Sequence, residues 1–267
     1  VKANTNRSGR LTFDRVVDDY DTGRPDLPAP LVADIVRSIA LPAGSRVLEV
    51  GAATGQLTRA LRAARMRVVA LEPGQHLRHR LAERFGADDG IDILPDFFEE
   101  YAGAEGSFGA VWSANAFHWV DPAVSYRKAA ELMEPAGHLV LIWAYPILTR
   151  DLQLRLNETA LANNPNSAWD PDTYEDYING VTAAGREELA GCGCFEAARH
   201  WWMTEPLSFD VDTYIAFLTS YGHNAALDET GRQQLASDVR AALAGLGADR
   251  LEGTNHIYTC VARARTA

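Results

Sequence analysis

Short apolar runs alternate with stretches in which apolar residues recur every three or four positions, and that alternation organises the first half of the chain. The runs predict strands at 46–50, 67–72, 91–94, 109–113 and 138–144, and the periodic stretches predict helices near 55–64, 75–85 and 123–133. Strand and helix in strict alternation imply a parallel sheet covered on both faces, a doubly wound α/β fold. Right-handed crossovers put every loop that follows a strand on one edge, where ligands bind in open sheets. Gly51, Glu72, Asp96 and Asn115 are therefore expected to converge.

Outside this region the pattern changes. Residues 1–10 are polar and expected to fray. Two short helical patterns, 13–20 and 31–39, flank the turn Arg24-Pro25-Asp26-Leu27-Pro28, and Pro42 and Gly44 break the chain before the sheet. Beyond Tyr145 and Pro146 the alternation stops. Residues 150–180 read as mostly helical, with a loop at Asn163-Asn164-Pro165-Asn166. A helix near 182–190, a strand at 195–204, helices at 211–221 and 229–244, and a last strand at 256–263 follow. Leu235, Val239, Leu243 and Leu246 form a helical stripe that packs. The expected organisation is residues 1–145 as N-terminal helices with the ligand-binding half of the sheet, 146–180 as a helical insertion or cap, and 181–267 as the other half of the same domain.

The densest chemistry lies in residues 46–72, RVLEVGAATGQLTRALRAARMRVVALE. Gly51 and Gly55 bracket Ala52, Ala53 and Thr54 in a turn able to approach a ligand closely. A dinucleotide fingerprint requires glycine at its third and sixth positions, where this chain has Ala53 and Gln56. Glu49, two residues before Gly51, also disfavours a pyrophosphate and favours a cationic ligand. Glu72 ends the second strand 21 positions after Gly51, the offset at which an acid can take both ribose hydroxyls.

E-x-G-x-x-x-G after a strand, an acid closing the next strand, Asp-Phe-Phe at 96–98 and S-A-N-A-F-H-W-V-D-P at 113–122 together resemble class I S-adenosylmethionine-dependent methyltransferases. A-F-H-W-V-D-P and the N-terminal Y-D-T-G-R-P at 20–25 are similar to the type 11 branch that includes trans-aconitate methyltransferase. The resemblance covers roughly residues 10–145. One departure is Ala53, where the loop of that family has a further glycine. It implies a seven-stranded, mostly parallel Rossmann-like sheet whose last strand is antiparallel and inserted beside strand six.

It also implies S-adenosylmethionine as cofactor, held by Tyr20, Glu49, Gly51, Ala52, Gly55, Gln56, Glu72, Pro73, Asp96, Phe97, Asn115 and Ala116. Glu49 then meets the cofactor ammonium directly or through water, or else braces the turn. Asp96 accepts from the adenine amino group or caps its own turn. Phe97 addresses the base, Asn115 and Ala116 offer backbone carbonyls, and Tyr20 closes over the site or packs in the core. His118 stands where a general base for the acceptor would be, or is structural. Arg24 is a candidate clamp for a substrate carboxylate, or shapes its turn.

Composition narrows the alternatives. With 36 acidic and 25 basic residues the chain carries net charge −11, so nucleic acid and anionic membrane are unexpected partners. The three cysteines are too few and too close for a disulfide framework or a four-cysteine zinc site, and the histidines form no metal-binding pattern. No run of 18 apolar residues and no basic-then-apolar leader is present, so a cytoplasmic setting is expected. Trp143, Tyr145, Trp169, Tyr174, Tyr177, Trp201, Trp202, Tyr214, Phe217 and Tyr221 crowd the second half, as core or as the lining of an acceptor pocket. The expected function is methyl transfer to a small-molecule O, N or C nucleophile, a carboxylate or a secondary metabolite. A nicotinamide-dependent oxidoreductase and a cofactor-binding protein that transfers no methyl are the competing readings. Nothing in the sequence sets an oligomeric state.

Overall fold

A computed structural model describes residues 7–165, 174–247 and 249–266. Asn166 and Trp169, assigned above to a loop and to a possible pocket, lie outside the described residues, as do the side chains of Tyr174 and Tyr177.

The chain opens with α1 (Arg7–Arg10), a 3-10 turn (Leu11–Val16), α2 (Val17–Gly23) and α3 (Ala29–Ser38). The alternating half follows: β1 (Arg46–Val50), α4 (Gln56–Ala63), β2 (Arg67–Leu71), α5 (Gln75–Phe85), β3 (Ile91–Leu94), β4 (Phe108–Ala114), α6 (Pro122–Leu132) and β5 (Met133–Leu148). Then come α7 (Arg150–Asn163), α8 (Tyr174–Gly191), β6 (Arg199–Asp210), α9 (Val211–Thr219), α10 (Gly222–Ala225), α11 (Glu229–Leu246) and β7 (Arg250–Arg263). The seven strands form one sheet in the order β3-β2-β1-β4-β5-β7-β6. Neighbours from β3 to β5 are parallel, and β7 runs antiparallel between β5 and β6. The doubly wound sheet and its inserted antiparallel last strand match the sequence expectation.

Period-two alternation explains why the central strands read as continuous apolar runs. Leu48, Val50, Val69 and Leu71 face one core layer, while Val47, Val68 and Ala70 face the other. Each fully buried valine or leucine contributes roughly 1.5–3 kcal/mol to holding helices on both faces. A third apolar cluster lies beyond the end of β5, where Leu148 and Leu156 meet Phe209, Phe217 and Leu218, with Leu235, Val239 and Leu243 of α11 completing it.

Three strands differ from expectation in their boundaries. β5 extends to Leu148 and β7 begins at Arg250 because the two pair antiparallel well past the end of β4, out to Leu148↔Gly253. β6 starts at Arg199 and runs to Asp210, later than expected, because Phe195 makes only an isolated bridge to Ala264. The N-terminal segment is anchored on the C-terminal half. Gly23 of α2 lies so close to α9 that a Cβ there would sit 2.1 Å from the Phe217 amide nitrogen.

Candidate functional site

The β1–α4 loop is shaped by backbone that ordinary residues avoid. Gly51 (φ 73°), Ala53 (φ 49°) and Gly55 (φ 102°) all adopt left-handed conformations. Gly51 is also required by space, since a Cβ would stand 2.5 Å from the Ala116 methyl. Ala53 occupies its left-handed position with a side chain, a local strain of about 1–2 kcal/mol. Gly55 begins α4.

Two buried carboxylates flank this loop. Glu49 lies on the α4 face of β1, 1% exposed, and accepts a hydrogen bond from Thr58 Oγ1 at 2.7 Å. Burial pushes its pKa up to about 8, with the Thr58 bond opposing and the charge of Glu72 adding. Glu72 follows β2 and is 5% exposed. Its Oε2 accepts from the Ala53 amide and its Oε1 from the Gly74 amide, both at 2.8 Å. Burial raises this group to about 7 against those two bonds. Each Glu72 oxygen has one described protein partner, so a carboxylate with about four acceptor sites keeps capacity for two further donors.

The cleft above the loop contains about 490 Å³ of space free of protein atoms, mouth included. It brings together Tyr20, Arg24, Glu49, Gly51, Ala52, Gln56 and Asn115, with Pro146 and Phe217 on the far wall. Glu72, Gly55 and Pro73 are not among the described residues that line it, and Glu72 is tied to the loop through the Ala53 amide. Asn115 is left-handed (φ 53°) and its Oδ1 accepts from the Ala144 amide at 2.9 Å, tying the end of β4 to β5. Ala116 serves as the surface against which Gly51 packs.

Other expected residues lie further out. Asp96 is half-buried after β3, and Phe97 packs under the Arg10 guanidinium, 5.7 Å from its ring centre. His118 lies in the 3-10 turn Phe117–Trp119, with Nδ1 3.3 Å from Trp143 Nε1. An indole N–H only donates, so this contact needs an unprotonated Nδ1. Desolvation by surrounding chain acts in the same direction, to a pKa of about 4, although the residue as a whole is exposed. Arg24 donates to Ser220 Oγ and to the Ser220 carbonyl, and its guanidinium lies 5.0–5.5 Å from the ring centres of Tyr20, Phe217 and Tyr221.

Several participants escaped the sequence. Asp14 Oδ1 accepts from the amides of His76 and Leu77 at 2.7 and 2.9 Å, capping α5 from the N-terminal segment. No local pattern betrays a cap 62 residues distant. Thr58 could have been found, because one turn into α4 it faces the strand that carries Glu49. Arg84 fixes the loop by donating to the Thr54 carbonyl at 2.9 Å. Among the described residues no His, Cys, Asp and Glu group has metal-binding geometry, and no helix is long and apolar enough to cross a membrane.

The site coincides with a recognised sequence region. Residues 48–141 match the methyltransferase domain family. An uncharacterised methyltransferase of Mycobacterium tuberculosis is 36% identical over 149 residues, which are 55% of this chain and 56% of the relative. An uncharacterised methyltransferase of Schizosaccharomyces pombe is 25% identical over 49% of this chain and 52% of its own length. The chain thus spans about half the length of the curated relatives it matches. Among solved structures, a protein described as a type II methyltransferase from Anaeromyxobacter dehalogenans aligns with a TM-score of 0.59 at 17% identity, over 90% of this chain and 97% of that one. Phosphoethanolamine N-methyltransferase 2 of Haemonchus contortus, solved with phosphomonomethylethanolamine and S-adenosylhomocysteine, aligns at 0.54 and 14% identity, over 95% of this chain and 58% of that one. These structures share the fold, and residues 48–141 are similar to the methyltransferase domain family.

Proposed function

We propose that the chain transfers the methyl group of S-adenosylmethionine to a small-molecule nucleophile. One observation carries this reading: Glu72, buried and oriented by the amides of Ala53 and Gly74, keeps acceptor capacity for two hydroxyls beside a loop whose Gly51 admits no Cβ. That pairing suits a ribose diol.

A cation bound in the cleft would draw Glu49, whose burial holds its proton up to about pH 8 in the free protein, into its ionised form. The cationic side chain lining the cleft, Arg24, is already engaged by Ser220 and three rings. A phosphate-bearing dinucleotide therefore finds little to bind, whereas a sulfonium and an ammonium find a carboxylate. When bound, the cofactor supplies a methyl with its leaving group attached. Glu49, Glu72 and the β1–α4 loop would hold that cofactor, whose sulfur would keep the S–C electron pair as an acceptor lone pair bonds the methyl carbon and the acceptor proton passes to solvent. Tyr20, Asn115 and Phe217 border the volume in which the partners must line up. Alignment of this kind contributes roughly 7–11 kcal/mol. His118, held by Trp143 and kept neutral near pH 7, is given no role in removing a proton. Asp96 and Phe97 are assigned to the adenine end, and Gln56 and Ala52 to the loop wall. The bound S-adenosylhomocysteine in the Haemonchus contortus protein supports the same use of the fold here.

Calorimetric titration with S-adenosylhomocysteine and with NADH tests the proposal. The first should bind and the second should not. Glu72→Gln should weaken S-adenosylhomocysteine by about 10- to 150-fold, the equivalent of roughly 1.5–3 kcal/mol for bonds to a charged acceptor. Binding of NADH alone would reverse the assignment.

A further inference from the structure

The turn Cys192-Gly193-Cys194 sets two thiols side by side at the C-terminal end of α8, where the chain heads toward the Phe195–Ala264 bridge and β6. The 18 residues of α8, roughly 27 Å, separate this turn from the stretch before Tyr174. Both cysteines are reduced and half-buried. Cys192 Sγ donates to the Leu189 carbonyl at 3.1 Å and accepts from the Cys194 amide at 3.4 Å. Cys194 Sγ donates to the Cys192 carbonyl at 3.3 Å, so each sulfur folds back on the same turn. Gly193 is left-handed at φ 70°, and a Cβ there would meet no described atom within 4 Å. Two peptide steps span at most about 7 Å, and the bend here shortens that, which brings the Cα atoms into the roughly 4.4–6.8 Å range of disulfides.

We infer that Cys192 and Cys194 form a reversible modification site, a local dithiol that a low-molecular-weight disulfide oxidises to an intrachain bridge. Cys192 attacks first. Its sulfur accepts an amide N–H, which steadies negative charge there. Desolvation, and then the Cys192 sulfur, hold the Cys194 thiol above its ordinary value, with Arg127 opposing. The Cys192 thiolate bonds to one sulfur of the reagent and expels the other as a thiolate, leaving a mixed disulfide. The Cys194 thiolate then attacks the Cys192 sulfur, and a second thiolate leaves. Both protein thiols are oxidised, the reagent is reduced to two thiols, and these take up the two cysteine protons. The second step closes across a single residue, so it outruns capture of another reagent molecule. A bridge spanning one glycine is strained and readily reduced again. Cys260 belongs to the core layer against which the pair packs. It is 5% exposed and pushed up to about 12 by burial, so it stays out of the exchange.

The reduced full chain, incubated with oxidised glutathione, quenched in acid, alkylated with N-ethylmaleimide in denaturant and digested with trypsin, is read by mass spectrometry. Residues 187–199 leave as one tryptic peptide that holds both cysteines. That peptide should lose two hydrogens and carry neither glutathione nor N-ethylmaleimide, while Cys260 is alkylated. Dithiothreitol should restore both thiols. Cys194→Ser should stop at a glutathione adduct on Cys192, and Cys192→Ser should form its adduct on Cys194 at least tenfold more slowly. The wild-type peptide alone decides the matter should a variant fail to fold. Stable glutathione adducts in place of the bridge, a bridge to Cys260, or a peptide that stays reduced overturns the inference. Equal adduct rates in the two variants overturn the assignment of Cys192 as the attacking thiol.

Discussion

Replacing Glu49 by glutamine should flatten the loss of stability that the ligand-free protein undergoes as pH rises from 6.5 to 8. Glu49 has a pKa of about 8 in the folded chain and an ordinary value near 4.5 when unfolded. Below the ordinary value both states hold the proton and the residue has no effect. Between the two values the unfolded chain releases a proton that the folded chain keeps, so stability falls by about 1.4 kcal/mol per pH unit. Above about pH 8 the curve levels. The window begins at 6.5 because His118, His138, His200 and His223 are pushed down by desolvation from the surrounding chain, and their opposite contribution, stability gained with rising pH, is largely complete there. It ends at 8 because Cys260 and Tyr126 are pushed up and titrate higher. Across about 1.5 pH units, Glu49 alone should remove about 2 kcal/mol. Glu72, at about 7, adds to the wild-type slope in the lower part of the window. Urea denaturation of wild type and Glu49→Gln at several pH values measures the difference directly. The variant should be the more stable protein at pH 8, with the gap closing by about 2 kcal/mol toward pH 6.5. Parallel profiles would show that Glu49 is hydrated or paired, and would refute the description of a desolvated carboxylate beneath the loop.

Three further outcomes are expected. Ala53→Gly relieves a left-handed alanine at φ 49°, partly offset by a freer unfolded chain, so chemical denaturation should show a gain of up to about 1 kcal/mol; a loss of that size would contradict the strain. Thr259→Val deletes a fully buried hydroxyl without a hydrogen-bond partner among the described residues and keeps its shape, so thermal unfolding should reveal a stabilisation of about 1 kcal/mol or more, and destabilisation would mean the hydroxyl is bonded. Asp14→Ala uncaps α5 and should cost about 1–2 kcal/mol, with faster amide exchange at His76 and Leu77; unchanged exchange there would exclude the cap.

Legibility in the sequence followed burial. β1 and β2 are enclosed on both faces, so their apolar runs were unmistakable, and α5 begins and ends at the expected residues. Pro146 misled because proline ordinarily ends a strand. Here β4 has already stopped, its last pairing being Ala114↔Ile142, so β5 continues on β7 alone. Gly51 and Asn115 were readable as neighbours of one cleft because a parallel sheet gathers its loop ends, whereas Glu72 and Asp96, expected beside them, are not among its lining residues. Asp14 and Ser220 were not, since each reaches the site from a distant segment by packing that leaves no local pattern. Arg24 was found by its residue type, but its partners lie 196 positions away.

The placement of β7 between β5 and β6 has a consequence for synthesis on the ribosome. β6 hydrogen-bonds to the sheet only through β7, which is made some forty residues later. Until Arg250–Arg263 emerge, the nascent chain can assemble β1 to β5 but must hold β6, with Trp201 and Trp202, unpaired. Closure of the sheet is therefore a late event that nascent-chain truncations ending before Arg250 would abolish.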